Sequence, residues 1–275
     1  MSDTTTRYKA NDSISLNKHS VKDDDLYQFG CEFEFYIDIS KHNLLAVVEK
    51  IKTKISTFSD VDILVDLVNL PINEDKNHCI QIKPDQSLED NGIEITIPIT
   101  SQSGVKYYIE NILLLIEEYG YTNEDTGLHF HISTIHTDGV NFNFYLYMLM
   151  CHDNNLLSSW QPRIGYSQNV MDILSKNTKS KSREVKSKKG TIWNLEKLEI
   201  NHIEIKSIGG IDYHKEMGKI IDEFNMYVKY FDCIYRDTEP KYRQKLVDTH
   251  KEIIKSIDSS TKEEFSKAVI EAGLI

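Results

Sequence analysis

The sequence predicts an α+β fold: a mainly antiparallel sheet with one apolar and one polar face, and helices laid on the apolar face. Two observations carry this. Four stretches alternate apolar and polar residues with the period of a strand, and the segments between them carry apolar residues at helical spacing. In residues 29–37 the alternation puts Glu32 and Glu34 on one side and Cys31, Phe33, Phe35 and Ile37 on the other. Residues 92–98 oppose Glu94 and Thr96 to Ile93, Ile95 and Ile97, residues 127–133 repeat the pattern with His129 and His131, and residues 201–207 with His202, Glu204 and Lys206. Paired in one sheet, these strands would present a dry layer to the helices and gather Glu32, Glu34, Glu94, His129, His131, His202, Glu204 and Lys206 on the opposite face. Carboxylates side by side repel strongly once they leave bulk water, so the pattern asks for a compensating cation, and a metal fits.

Taken in order, residues 1–25 are polar, carry scattered charge and lack a periodic apolar set, which reads as a flexible arm. Residues 26–236 read as one domain, and 237–275 as a helical extension. After the first strand, residues 41–55 carry Leu44, Leu45, Val47, Val48 and Ile51 at helical spacing, with Ser40 as candidate N-cap. Residues 61–70 are apolar and β-branched, broken by Asp62 and Asp66 and ended by Pro71; a strand is expected, with a helical turn as the alternative. Ile80 and Ile82 alternate with polar neighbours into Pro84, another strand, and Asp85-Gln86-Ser87 opens the loop before Glu94.

Residues 101–119 form the most regular helix pattern, through Val105, Tyr108, Ile109, Ile112, Leu113, Leu115 and Ile116, closed by Gly120. Residues 141–157 are apolar around most of a helical circumference and read as a buried helix, its Met, Tyr and Phe content serving packing. A loop at 160–166 holds Pro162 and Arg163, and a short helix follows at 170–174. Residues 176–189 then bring seven basic residues against one acid, Glu184; this is either a solvated loop or a lid that draws in phosphates or an anionic partner. A strand near 191–195 returns the chain to the sheet. Residues 213–235 form a long amphipathic helix through Met217, Ile220, Ile221, Phe224, Tyr227, Val228 and Phe231. Two helical segments follow, one after Pro240 and one after Thr261, whose spacing to Glu264 is that of a capping box; Gly273 closes the last.

The chain of 275 residues can bury a sizeable core, and its formal net charge of -11 argues against general binding to a phosphate backbone. No apolar run approaches the roughly 20 residues that span a bilayer, and the first residues are too polar for a secretory signal, so a cytoplasmic protein without membrane contact is expected. Cys31, Cys79, Cys151 and Cys233 show no paired spacing and read as reduced packing residues.

With its strands in place, the chain resembles the amidoligase family of the glutamine synthetase-like carboxylate-amine ligases, and is also similar to glutamate-cysteine ligases. The matching segments, in the family's order, are Gly30-Cys31-Glu32-Phe33-Glu34, Asp85-Gln86-Ser87 leading to Gly92-Ile93-Glu94, Gly127-Leu128-His129-Phe130-His131, Pro162-Arg163 with Tyr166, and Ile203-Glu204-Ile205-Lys206. The resemblance implies a curved sheet whose concave polar face is the active site, holding ATP and Mg²⁺ or Mn²⁺. It implies Glu34 and Glu94 as ligands of one ion, and Glu32, His129 and Glu204 as ligands of another that bridges the ATP phosphates. Four carboxylates and one imidazole are a hard donor set, which agrees with Mg²⁺ or Mn²⁺ rather than zinc. His131 is read as a substrate- or cofactor-binding group, and Arg163 and Lys206 as cations that hold phosphate or the substrate carboxylate.

The implied chemistry has two steps, with Glu32, Glu34, Arg163 and Lys206 as catalytic groups. A substrate carboxylate attacks the γ-phosphate of ATP to give an acyl phosphate, and an amine then displaces phosphate to form an amide. The partners implied are a carboxylate-bearing and an amine-bearing substrate, small molecule or peptide, with nucleic acid entering only as a modified base, in a chain compatible with a homo-oligomer. Where the family commonly has arginine, this chain has Lys206, which keeps the charge and loses the bidentate fork. Two alternatives stay open: a weakened member serving as a binding or assembly module, and a metal-dependent hydrolase built on His129 and His131. Glu204 with Lys206 also reads as a plain surface pair, and Arg163 as an ordinary loop cation.

Overall fold

The alternating stretches are strands of one mostly antiparallel, open sheet in the computed structural model, which describes residues 6–8, 26–40, 43–67, 78–134, 147, 151, 160, 192–194 and 202–235. The described strands are β1 (Thr6–Tyr8), β2 (Tyr27–Ile37), β3 (Ile63–Val65), β4 (Ile80–Pro84), β5 (Gly92–Thr96), β6 (Gly120–Tyr121), β7 (Gly127–Thr134), β8 (Trp193–Asn194) and β9 (His202–Gly209). Their spatial order is β1-β3-β4-β5-β2-β7-β9-β8, with β6 paired to the end of β2. Among them only β3 and β4 run parallel.

Among the fully described elements, three helices supply apolar cover: α1 (Leu44–Phe58), α2 (Gln102–Tyr119) and α3 (Met217–Tyr235), the last entered through a 3-10 turn at Tyr213–Lys215. The fold is therefore mixed α+β. Cys31, Phe33, Phe35 and Ile37 from β2, Ile93 and Ile95 from β5, and Leu128, Phe130 and Ile132 from β7 are fully buried. They share one core with Val47, Ile51 and Ile55 of α1, Ile109, Ile112 and Ile116 of α2, and Phe224 and Phe231 of α3. Phe224 sets its ring 5.6 Å from Phe29 and 4.9 Å from Phe130, tying α3 to the centre of the sheet. Each such side chain contributes roughly 1.5–3 kcal/mol when removed from water, so the dry face fixes which way every strand turns.

Several boundaries differ from the sequence reading, each for a local reason. Helix α1 is capped by Asn43, whose side chain accepts from the Ala46 amide, while the Ser40 hydroxyl donates to Asp38 and is not available as the expected cap. Gly120 does close α2, but in extended conformation, φ -150°, so a left-handed turn is not why glycine stands there. A Cβ at that position would lie 2.3 Å from the Tyr36 carbonyl oxygen and 2.8 Å from the Phe35 ring; glycine lets β6 approach β2. The apolar run after Val61 yields only a three-residue strand, β3. Thr6–Tyr8, within the segment read as an arm, pairs antiparallel with β3.

Cys31 lies in the apolar layer, where burial pushes its thiol well up from the usual range, consistent with a packing role. No helix among the described residues is long and apolar enough to cross a membrane. Tyr147, Cys151 and Trp160 are described, and Tyr147 donates a hydrogen bond to the Tyr227 carbonyl. The remainder of the expected helices at 141–157 and 170–174, Arg163 and Tyr166, the basic stretch 176–189, the rest of residues 1–25 and the helical extension lie outside the described residues.

Candidate active site on the polar face

Register, rather than alternation alone, determines which polar side chains meet. Across β2 and β5, Glu34 stands directly opposite Glu94, and Glu32 opposite Thr96. Across β2 and β7, Glu32 stands opposite His129. On the outer flanks, Glu94 faces Lys83 of β4, His131 faces Glu204 of β9, and Glu204 faces Asn194 of β8. Between Leu128 and Phe130 the pairing with β9 slips: Leu128 meets Ile208 while Phe130 meets Ile205, so Lys206 and Ser207 together oppose His129. The bulge keeps Ile205 and Ile208 both in the apolar layer while Lys206 remains beside the histidine.

His129 is the centre of the cluster. Its Nδ1 lies 3.1 Å from Glu32 Oε2 and 3.4 Å from Glu204 Oε1, and its Nε2 lies 3.2 Å from Glu34 Oε1. Burial alone would lower the pKa of this imidazole, but Glu34, Glu32 and Glu204 outweigh it against Lys206, and the net shift is upward. With a carboxylate near each nitrogen, the protonated form of His129 is favoured more than in a free imidazole. One donor atom from each of Glu32, His129 and Glu204 lies within 4.8 Å of the others, a group with the dimensions of a metal site. Both the charge and the donor chemistry fit a hard divalent ion, which would compete with a proton for the His129 nitrogen.

The acids differ among themselves. Glu32, which burial would push up, is held well below the usual range by His131 and His129, and Glu204 is lowered by His129, His131 and Lys206 against its own burial. Glu94 goes the other way: burial and the Glu32 charge push it up to about 7, against Lys83 and Thr96. The Thr96 hydroxyl donates to Glu94 Oε1 at 2.5 Å, and Lys83 Nζ sits 3.1 Å from the same oxygen. Asp85, which burial would push up, is lowered chiefly by hydrogen bonds from the Ser87 hydroxyl and amide. Glu204 is held from two sides, by the Asn194 amide donating to Oε2 at 2.6 Å and by Lys206 Nζ 2.9 Å from Oε1.

The structure therefore brings Glu32, Glu34, Glu94, His129, His131, Glu204 and Lys206 onto one face; Arg163 lies outside the described residues. His131 stands one step off the centre. Its Nδ1 is 3.2 Å from His202 Nε2, and its Nε2 is 3.2 Å from Glu32 Oε1, an ion-pair distance without hydrogen-bond alignment. His202, expected on the polar face but given no role there, thus touches the site through His131. Lys83 and Asn194 were missed, and Asp85 was named only as part of the loop segment before Glu94. For Lys83 a signal existed, since the Ile80/Ile82 alternation puts Gln81 and Lys83 on the face of Glu94. Asn194 had no such signal, because its partner is set by the β8–β9 register.

Chemically, the face offers hard oxygen donors and one central imidazole flanked by two ammonium groups, a combination that can hold divalent cations and the anions they bind. No protein-family model matches the chain and no curated protein matches it, so the functional reading rests on these residues themselves.

Proposed function

We propose that the protein is an ATP-dependent carboxylate-amine ligase of the glutamine synthetase-like kind, working in the cytoplasm with Mg²⁺ or Mn²⁺ on the polar, concave face of its sheet. One observation carries the reading: Glu32, His129 and Glu204, from three different strands, converge to metal-site dimensions beside the opposed pair Glu34 and Glu94. Glu32, His129 and Glu204 would hold one ion, and Glu34 with Glu94 another. When bound, such ions supply stabilisation of the charge that builds on a transferring phosphoryl group.

The chain's own groups do the remaining work. Glu34 keeps the His129 ring oriented through Nε2. Lys206 and Lys83 place positive charge at the two flanks of the carboxylates, and Arg163 is proposed to grip a phosphate or the substrate carboxylate. In the reaction, a carboxylate oxygen bonds to the γ-phosphorus as the bond to ADP breaks, giving an acyl phosphate. The amine nitrogen then bonds to the carbonyl carbon as phosphate leaves, and the amine loses its proton. Buried walls around Glu34 and His129, 2 % and 5 % exposed, would keep water from that acyl phosphate.

The test is ADP release by the full chain with Mg²⁺ across a panel of acids and amines. Release that requires both substrates together is expected. Magnesium-independent release, or hydrolysis of an amide without ATP, would overturn the reading. A weakened, binding-only member is favoured by one observation, the ammonium of Lys206 held on Glu204 rather than free for phosphate, and would show as nucleotide binding without ADP release. The hydrolase reading is disfavoured because the metal-sized group among the described residues does not include His131.

A further inference from the structure

Glu204 is the acid of the metal-sized group whose oxygens are held by an amide and an ammonium, where Glu32 meets only imidazoles. Asn194 donates to Oε2 at 2.6 Å, which fixes the carboxylate plane and leaves Oε1 turned toward His129, 3.4 Å from Nδ1. That oxygen is not vacant, because Lys206 Nζ sits on it at 2.9 Å. Lys206 is put there by the β9 bulge, which sets two residues opposite His129, and its side chain is 15 % exposed. A divalent ion among Glu32, His129 and Glu204 would meet the ammonium across one shared oxygen.

We infer that Lys206 is a resident counter-ion that holds Glu204 until a divalent cation takes its place, and that its release couples metal binding to capture of the anionic substrate. The inference rests on the ligase reading. Two cations on one carboxylate oxygen in a poorly hydrated site repel strongly, so one must yield. Lysine can yield: its ammonium is a point charge on a four-carbon stem that reorients without losing a fixed fork geometry. Asn194 keeps Glu204 in place when the ammonium departs. The displaced charge then needs an anion, and Glu32 and Glu34 already face His129. An incoming triphosphate is the partner left for it. Metal first and nucleotide second follows as the favoured order, and by linkage each tightens the other.

The experiment measures free Mn²⁺ by electron paramagnetic resonance while the full chain is titrated, with and without an imido analogue of ATP. Lys206→Met keeps the stem and removes the charge; it should bind Mn²⁺ alone about tenfold more tightly than wild type. The factor by which Mn²⁺ tightens the analogue should shrink by about the same amount. Lys206→Arg, which retains the charge, should stay within about threefold of wild type for Mn²⁺ alone. Should Lys206→Met fail to fold, Lys206→Gln gives the same comparison. Unchanged or weaker Mn²⁺ binding in the neutral variants overturns the inference and leaves the ligase reading standing. A wild-type chain that binds no Mn²⁺ overturns both.

Discussion

At the scale of single residues the polar face is a problem in charge that His129 solves provisionally. Its ring lies 3.1 to 3.4 Å from three carboxylates, whose charge favours a proton on it, so the acids are not left facing one another bare. Glu94, which stands opposite Glu34, is pushed up to about 7 by burial and by the Glu32 charge. Since that folded value lies above the unfolded one, Glu94 lends stability below about pH 4.5 and withdraws it as pH rises through 7. His129 and His131, both shifted up by neighbouring acids, act in the same direction above pH 6.5. Glu32 and Glu204 are shifted down, so their contributions fade only in acid. In chelator, urea melts from pH 5 to 8 should therefore show falling stability, and Glu94→Gln should flatten that slope and exceed wild type at pH 8 by about 1–3 kcal/mol. An equal slope in both proteins would contradict the assignment. Glu34→Gln keeps the shape and removes the charge facing His129 Nε2. It should cut ADP release at least about a hundredfold with an unchanged circular dichroism spectrum, and turnover near wild type would remove Glu34 from the proposed machinery.

At the scale of elements, the faces of β2, β5, β7 and β9 were readable because a strand's period of two is strict and the apolar partners are unmistakable: Cys31, Phe33, Phe35, Ile93, Ile95, Leu128, Phe130, Ile203 and Ile205 are all fully or almost fully buried. What the alternation could not reveal is who stands beside whom. Lys83 and Asn194 meet Glu94 and Glu204 through the registers of β4 with β5 and of β8 with β9, which alternation within a single strand does not fix. The β9 bulge was hidden for the same reason, although Ile205 and Ile208, three apart, break strict alternation. Local signals also competed: Ser40 and Asn43 are both capping types, and only the backbone path of the turn decides between them. Gly120 shows a sound signal with a different cause, close approach of β6 to β2 in place of a left-handed turn. That cause is testable. Gly120→Ala would set a methyl against the Tyr36 carbonyl and Phe35 ring, and should cost about 1–3 kcal/mol in urea unfolding. Glycine tolerated only for its backbone freedom would make the same change neutral or stabilising, since the φ of -150° suits alanine.

At the scale of the whole molecule, a chain of formal charge -11 has buried a share of its acids on one face of its sheet, with Glu34, Glu94 and Glu204 each less than a tenth exposed. Ordinary salt screens exposed charges but reaches buried ones poorly. The two effects can be separated by melting the protein in different cations. A divalent ion that binds the folded face and not the unfolded chain stabilises by an amount that grows with its concentration, about 2.7 kcal/mol at a hundredfold excess over Kd. For a domain of this size each kcal/mol moves the midpoint by about 2–4 °C, so Mn²⁺ or Mg²⁺ should raise Tm by roughly 5–10 °C. Sodium chloride at matched ionic strength should move it far less. His129→Asn and Glu204→Gln each remove a member of the metal-sized group, so both should lose most of the divalent increment while keeping the response to sodium. If sodium reproduces the increment, or if the two variants retain it, the acids on this face are only a charged surface that happens to be sheltered, and the case for cation-assisted chemistry there fails with them.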